Sequence, residues 1–468
     1  MTRILIDGCA IATVDDQLQE FARGFIVLDG ARIAAVGEGV APSQERESAD
    51  TIIDGAGLLA TPGLVNCHHH MFQHLTRGIA QQSTLFEWLV ELYPTWACID
   101  AEMERAASRA AITALLISGC STATDHHYLH PRDAGDLLAT EIEAAADLGI
   151  RFHPCRGSMD LGESSGGLPP DHVVEDRDEI LQASEAAFQQ WHDPSPESML
   201  RIAFAPCSPF SVTRELMTES AELARKHGVR LHTHLAETVE EDAYCLEQFG
   251  MRPVDYLAEL GWLGDDVWLA HCVHLNPSEV ARFGATGTGV AHCPSSNARL
   301  GAGIAPVADL LQVGAPVGLG VDGAASNEAG ELSIELREAL LVARLRGGPA
   351  ALTARQALSV ATIGGAQCLG RAADIGSIEV GKLADIALWN TGAHDVASAG
   401  IADPIAALVF GPSRRVQHLF VQGVPVVQDG ALQTADHATV AQELATQCNR
   451  LASVAGIATS TVVPLTPR

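Results

Sequence analysis

The stretch Asn66–Gly78, NCHHHMFQHLTRG, sets three histidines in a row, adds a fourth at His74 and places Gln73 between them. Further along, LHTH ends at His234 with Glu237 three residues on, LAH ends at His271, GVAH at His292 and GVD at Asp322. STATDHH contributes Asp125, His126 and His127. Imidazoles and carboxylates are the ligands that zinc or iron takes, and a catalytic ion keeps one position for water. On a strand, residues i and i+2 point the same way, so His68 and His70 can grip one ion while His69 points elsewhere. With His234 and Asp322 they complete a metal set. A lone histidine is more often a satisfied buried residue; several at strand ends are the pattern of a metal site.

Residues so far apart in sequence meet only if the fold gathers them. From Pro62 to Arg371 the chain repeats one unit: a short apolar run, a polar residue at its end, then an Ala- and Leu-rich helical stretch. The runs are PGLVNCH, STATDHH, IRFHPCRG, LRIAFAPC, VRLHTH, VWLAH, GTGVAH and APVGLGVD. Eight such alternations predict an α/β fold, a distorted (β/α)8 barrel whose strands all open their C-terminal ends on one face. Six of the eight runs end in His or Asp on that face. Both chain ends have another texture, with ILIDG and FIVLDGARIAAVGEG at one and GSIEVGKLADIALWN and VQHLFVQGVPVVQDGAL at the other. Short apolar runs broken at Asp-Gly turns read as hairpins. The expected organisation is therefore residues 1–61 as one part of a small β-sandwich, 62–371 as the catalytic barrel, and 372–468 as the second part with a C-terminal helix. The Gly- and Pro-rich loop Gly162–His172 reads either as a lid over the barrel mouth or as a plain surface loop.

Composition narrows the partners. With 29 Lys and Arg against 58 Asp and Glu, the net charge is -29. Such a surface repels phosphates, which argues against nucleic acid and anionic membranes. The 11 cysteines form no CxxC pair and read as reduced, buried side chains. No leader-type sequence and no unbroken apolar run of about 18 residues is found, so a cytoplasmic protein is expected. GLGVDG fits a dinucleotide fingerprint but sits in the last barrel run, and GSIEVGKL lacks the Ser/Thr of a phosphate loop. These failures disfavour a dehydrogenase.

Taken in order along nearly the whole chain, PGLVNCHHH, LHTHLAE, LAH, HCPSSN and GVDGAASN resemble the amidohydrolase superfamily, and within it the cytosine/guanine-type aminohydrolases. The resemblance implies a barrel with a small β-sandwich, a small-molecule substrate, hydrolysis at a metal-bound water and a homodimer. Many members bridge two metals with a carboxylated lysine on a barrel strand. Here the only lysines, Lys226 and Lys382, fall in a helical stretch and in the terminal β-layer, so one ion is expected, zinc first and iron second. The resemblance makes His68, His70, His234 and Asp322 its ligands and His271 the residue that orients or deprotonates the water. It gives Glu237 the delivery of a proton to a ring nitrogen, and Asp322 the transfer of the water proton to departing ammonia. Gln73, at the spacing H-x-H-x-x-Q, matches a glutamine that reads a purine edge. Trp88 and Phe72 are candidates for the walls of a flat heterocycle, with core packing as the alternative.

Closer similarity in HHHMFQHLTRG, FEWLVELYPTWA, DHHYLHP, RGSMDLGESSGGLPPD, APCSPFSVT and AHCPSSNARL resembles the bacterial 8-oxoguanine deaminases. That implies conversion of 8-oxoguanine to urate plus ammonia. Triazine hydrolases share part of the pattern, and guanine or isoxanthopterin deaminases use the same chemistry. A catalytically inactive barrel scaffold is the non-enzyme alternative; such relatives lose ligands, and here every position is filled.

Overall fold

The computed structural model describes residues 2–391 and 403–457; residues 392–402 and 458–468 of the terminal segment lie outside the described residues. The eight apolar runs become eight parallel strands that close on themselves in chain order: Leu64–Asn66, Cys120–His127, Arg151–Ser158, Ala203–Pro206, Arg230–Leu235, Val267–His271, Gly289–His292 and Val317–Leu319. The second and third are buried along their whole length, as parallel strands covered by helices must be. The covering helices carry their own start and stop signals. Arg214–His227, for example, begins where the Thr213 hydroxyl accepts from Leu216 N and stops at Gly228, φ 67°.

The barrel is distorted where the chemistry lies. The first strand breaks after Asn66, and the chain resumes as His69–His70, paired in parallel with Asp322–Gly323 beyond the eighth strand. Asp322 stands opposite His69 in this pairing. Residues from the two ends of the barrel sequence are thus held side by side.

Strands from both chain ends form a separate sheet of nine strands. Arg3–Ala12, Glu20–Asp29, Arg32–Glu38, Thr51–Asp54 and Leu58–Pro62 come from one end, and Ile386–Asn390, His418–Val421, Val424–Gln428 and Ala431–Leu432 from the other. The two sets join where Leu58–Pro62 runs antiparallel to Ile386–Asn390, with Leu59 opposite Trp389. All nine strands are linked by hydrogen bonds, and Ile6, Ile26, Leu28, Ile386, Leu388 and Phe420 share one apolar core. A helix, His437–Val454, follows.

Barrel and sheet are pinned together by a buried ion pair. Arg151, on the third barrel strand, donates to both oxygens of Asp385 at 3.1 and 3.3 Å and to the Ser198 carbonyl at 2.6 Å. Asp385 also accepts from Gln422 N at 2.7 Å. Removing one partner leaves a buried charge unpaired, so Asp385→Ala is expected to cost about 3–5 kcal/mol of stability, read by chemical denaturation; a loss below about 1 kcal/mol, the range of exposed pairs, contradicts this account. Among the described residues no helix is long and apolar enough to cross a membrane.

Candidate metal centre and substrate pocket

At the C-terminal mouth of the barrel His68, His70, His234 and Asp322 converge. His70 Nε2 lies 3.1 Å from His234 Nε2, and Asp322 Oδ1 lies 3.4 Å from the Nε2 atoms of both His68 and His70. Atoms bound to one ion at about 2.0–2.1 Å stand at such separations. His68 Nε2 is buried with no hydrogen-bond partner, which is what a ligand atom without its ion looks like. One nitrogen of each of His68, His70, His126 and His234 falls within 4.8 Å of the others.

Each ligand ring is turned by a bond at its other nitrogen. His70 Nδ1 donates to the His126 carbonyl at 2.7 Å and His234 Nδ1 to the Cys207 carbonyl at 2.6 Å. His68 Nδ1 lies 2.8 Å from His232 Nε2, and His232 Nδ1 lies 2.8 Å from the Trp268 carbonyl. The carbonyl fixes the His232 proton on Nδ1, so its Nε2 accepts from His68 and the His68 Nε2 lone pair is free for an ion. Burial keeps these rings neutral: it pushes His68 and His234 well below the usual imidazole range, and His70 down to about 4. Burial works against the charge on Asp322, but the close approach of His68, with His271 and His70 nearby, outweighs it and holds the carboxyl well below its ordinary value. The Ser296 hydroxyl donates to Asp322 Oδ2 at 2.6 Å.

Two proton-carrying groups flank this set. His271 Nε2 is 3.6 Å from Glu237 Oε2 and 3.9 Å from Asp322 Oδ2, while its Nδ1 meets Asn297 Oδ1 at 2.9 Å. Burial lifts the Glu237 carboxyl to about 7, with Asp322 adding to the shift and His271 opposing it. Burial also disfavours charge on His271, yet Glu237 and Asp322 outweigh it and the ring is raised. The backbone is strained here: His271 has φ 70° and Asp322 φ 62°, a left-handed conformation costing about 1–3 kcal/mol each in a non-glycine residue.

A pocket opens beside these groups. Gln73, Trp88, Tyr128, Cys207, Phe210 and Ser326 line it together with His70, His234, Glu237, His271 and Asp322. Gln73 Oε1, Trp88 Nε1 and Glu237 Oε1 are buried without partners, so polar groups are left for a ligand to satisfy. Phe72 instead packs edge-on to Trp96 and Tyr128 behind the wall. His69 accepts from His70 N, and His127 and His292 stay outside the ligand group. The Gly162–His172 loop reaches this wall, with Leu168 N donating to the Phe210 carbonyl. His232, Ser296, Asn297 and the lining residues Tyr128, Cys207, Phe210 and Ser326 had no role in the sequence reading. The H-x-H spacing with His234 is the one sequence signal that could have found His232, whose ring acts on His68.

Gln73 lies directly over Gly323, where an added methyl group would overlap the amide. Gly323→Ala therefore displaces Gln73. Overpacking of this kind costs about 1–3 kcal/mol, so kcat/KM is expected to fall by roughly 10-fold with the metal content unchanged; wild-type kinetics would mean that Gln73 has no part in the pocket.

The model of the amidohydrolase family matches residues 59–426. The chain belongs to the amidohydrolase family. This amidohydrolase is 45% identical over 421 residues to an 8-oxoguanine deaminase of Pseudomonas aeruginosa, covering 90% of this chain and 92% of that one. It is 36% identical to an isoxanthopterin deaminase from an unknown prokaryotic organism, covering 83% and 84%. It also superposes, with a TM-score of 0.89 and 35% identity over 95% of its length and 100% of the other, on a zinc complex of an atrazine chlorohydrolase from Arthrobacter aurescens TC1. The amidohydrolase is thus an enzyme, a hydrolase acting on C–N bonds and a deaminase of a family that binds a divalent metal.

Proposed function

We propose that the chain deaminates a purine-type heterocycle, 8-oxoguanine, to urate and ammonia, with one zinc ion on His68, His70, His234 and Asp322. The observation that carries this reading is the Glu237 carboxyl, buried and lifted to about 7, facing His271 across the cavity that also holds the unpartnered Gln73 amide oxygen. The similarity to an 8-oxoguanine deaminase supports the choice of purine.

His68, His70, His234 and Asp322 would hold a divalent ion, which when bound would lower the pKa of a water toward about 7 and supply a nucleophile at neutral pH. The residues do the rest. Asn297 Oδ1 accepts from His271 Nδ1–H, which turns the Nε2 lone pair toward Glu237 and Asp322, where it takes a proton. Asp322 Oδ2, steadied by Ser296, is the second acceptor and hands its proton to the leaving ammonia. Glu237, holding its own proton near pH 7, delivers it to a ring nitrogen and makes the adjacent carbon electrophilic. Gln73 offers both a donor and an acceptor, as a lactam edge requires.

The test is ammonia release from zinc-loaded protein offered 8-oxoguanine, guanine, isoxanthopterin and hydroxyatrazine in parallel. Release confined to 8-oxoguanine is expected; turnover of the triazine or the pterin alone overturns the substrate and leaves the proton chemistry. The pH profile tests the acid. Because Glu237 must be protonated and titrates at about 7, kcat/KM is expected to decline as pH rises through that value. A profile still rising to pH 9 assigns the acid elsewhere.

A further inference from the structure

The second barrel strand sends His126 toward the metal centre and His127 to the opposite face, as strand geometry requires. There His127 meets Glu104 of helix Ala101–Ile117 and Glu141 of helix Leu137–Leu148. His127 Nε2 donates to the Leu129 carbonyl at 2.7 Å, so Nδ1 keeps its lone pair. That atom lies 2.6 Å from Glu141 Oε1 and 3.9 Å from Glu104 Oε2. One ligand atom from each of the three residues falls within 4.8 Å of the other two, and all three residues are fully buried.

What sets this cluster apart is how few donors reach it: the Ser108 hydroxyl donates to Glu104 Oε1 at 2.7 Å. His127 Nδ1, Glu104 Oε2 and both Glu141 oxygens have no hydrogen-bond partner, and neither does Oδ2 of buried Asp125 on the same strand. At 2.6 Å the Nδ1 lone pair faces Glu141 Oε1, a contact that requires a proton or a metal ion between the two atoms. Among the described residues no lysine or arginine pairs with any of these carboxylates. Burying carboxylates without a positive charge costs several kcal/mol per ion, so acceptors that converge in this way call for a cation.

We propose that Glu104, His127 and Glu141 hold a second divalent cation of the zinc class, separate from the ion at the pocket. Two carboxylates and an imidazole are a zinc donor set, and both free oxygens of Glu141 allow it to bind in bidentate fashion. Tetrahedral ligands at about 2.0–2.2 Å stand about 3.4 Å apart, so the 3.9 Å span from His127 to Glu104 closes by about half an ångström around an ion. The 2.6 Å contact to Glu141 opens by about 0.8 Å. The site is closed to substrate, so its role is to brace. It ties two helices to the strand end whose His126 carbonyl holds His70 Nδ1 and whose Asp125 carboxylate accepts from Met71 N at 2.6 Å.

The experiment loads the full-length protein with zinc chloride, removes loose metal on a chelating resin and counts zinc per chain by plasma mass spectrometry. Two equivalents are expected in the wild type, and one in each of Glu141→Gln and His234→Ala, lost from different sites. A single equivalent in the wild type, kept by Glu141→Gln, overturns the proposal and leaves protons as what neutralises the cluster; two equivalents in Glu141→Gln overturn it as well. Where a variant fails to fold, a wild-type crystal measured at the zinc absorption edge decides the matter: an anomalous peak between Glu104, His127 and Glu141 is expected, and its absence overturns the site whatever occupies the pocket.

Discussion

Glu237→Gln is expected to lower kcat/KM by about 10²- to 10⁴-fold, the range of a positioned general acid, while zinc content and thermal stability stay at wild-type values. The substitution keeps the shape of the side chain and removes only its exchangeable acid proton. Glu237 is not within the ligand group, and its Oε1 has no protein partner to lose. Burial is what lifts the carboxyl to about 7, a cost to the folded state that an amide does not carry, so the variant is expected to be no less stable than the wild type. Ammonia release and metal analysis on one preparation separate the possibilities. A variant with substantial turnover would remove Glu237 from the proton path, and one that sheds its metal would make it a structural residue.

His234→Ala is expected to cost more. Its Nε2 sits 3.1 Å from His70 Nε2, so the substitution removes one of the donors proposed for the ion. A bound divalent ion would contribute several kcal/mol to the transition state, so a loss of about 10³-fold or more is expected, together with loss of metal from the pocket. Titration with a chelator during turnover gives the same information on the wild type. Activity that survives both complete chelation and His234→Ala would overturn metal-assisted hydrolysis.

Much of this architecture was legible because the chain writes it in local patterns. The eight apolar runs formed the eight barrel strands in order, and their terminal His and Asp residues met at one mouth because parallel barrel strands must share a direction. Lys226 lies on the exposed side of an outer helix and Lys382 in the turn before Ile386, as their sequence neighbours implied. Other features follow from geometry that spacing does not encode. The break after Asn66 and the pairing of His69–His70 with Asp322–Gly323 depend on the meeting of the first and last strands. His232 shares the H-x-H spacing with His234, and only the structure shows that its Nδ1 is taken by the Trp268 carbonyl and its other nitrogen by His68. Ser296 and Asn297 are ordinary residues of a helix start until Asp322 and His271 arrive beside them. Tyr128 follows the second barrel strand while Cys207 and Phe210 share the loop after the fourth, and only closure of the barrel brings the two segments together.

The rings of His70 and His234 are aimed by carbonyls of the main chain, those of His126 and Cys207, which every residue type supplies. Substitutions at those two positions leave the orienting atom in place as long as the strands keep their register. The side chains of the pocket can therefore change without disturbing how these two imidazoles are turned. His68 and Asp322 differ, because their partners are side chains, the imidazole of His232 and the hydroxyl of Ser296. A change at either partner reaches the proposed metal set directly.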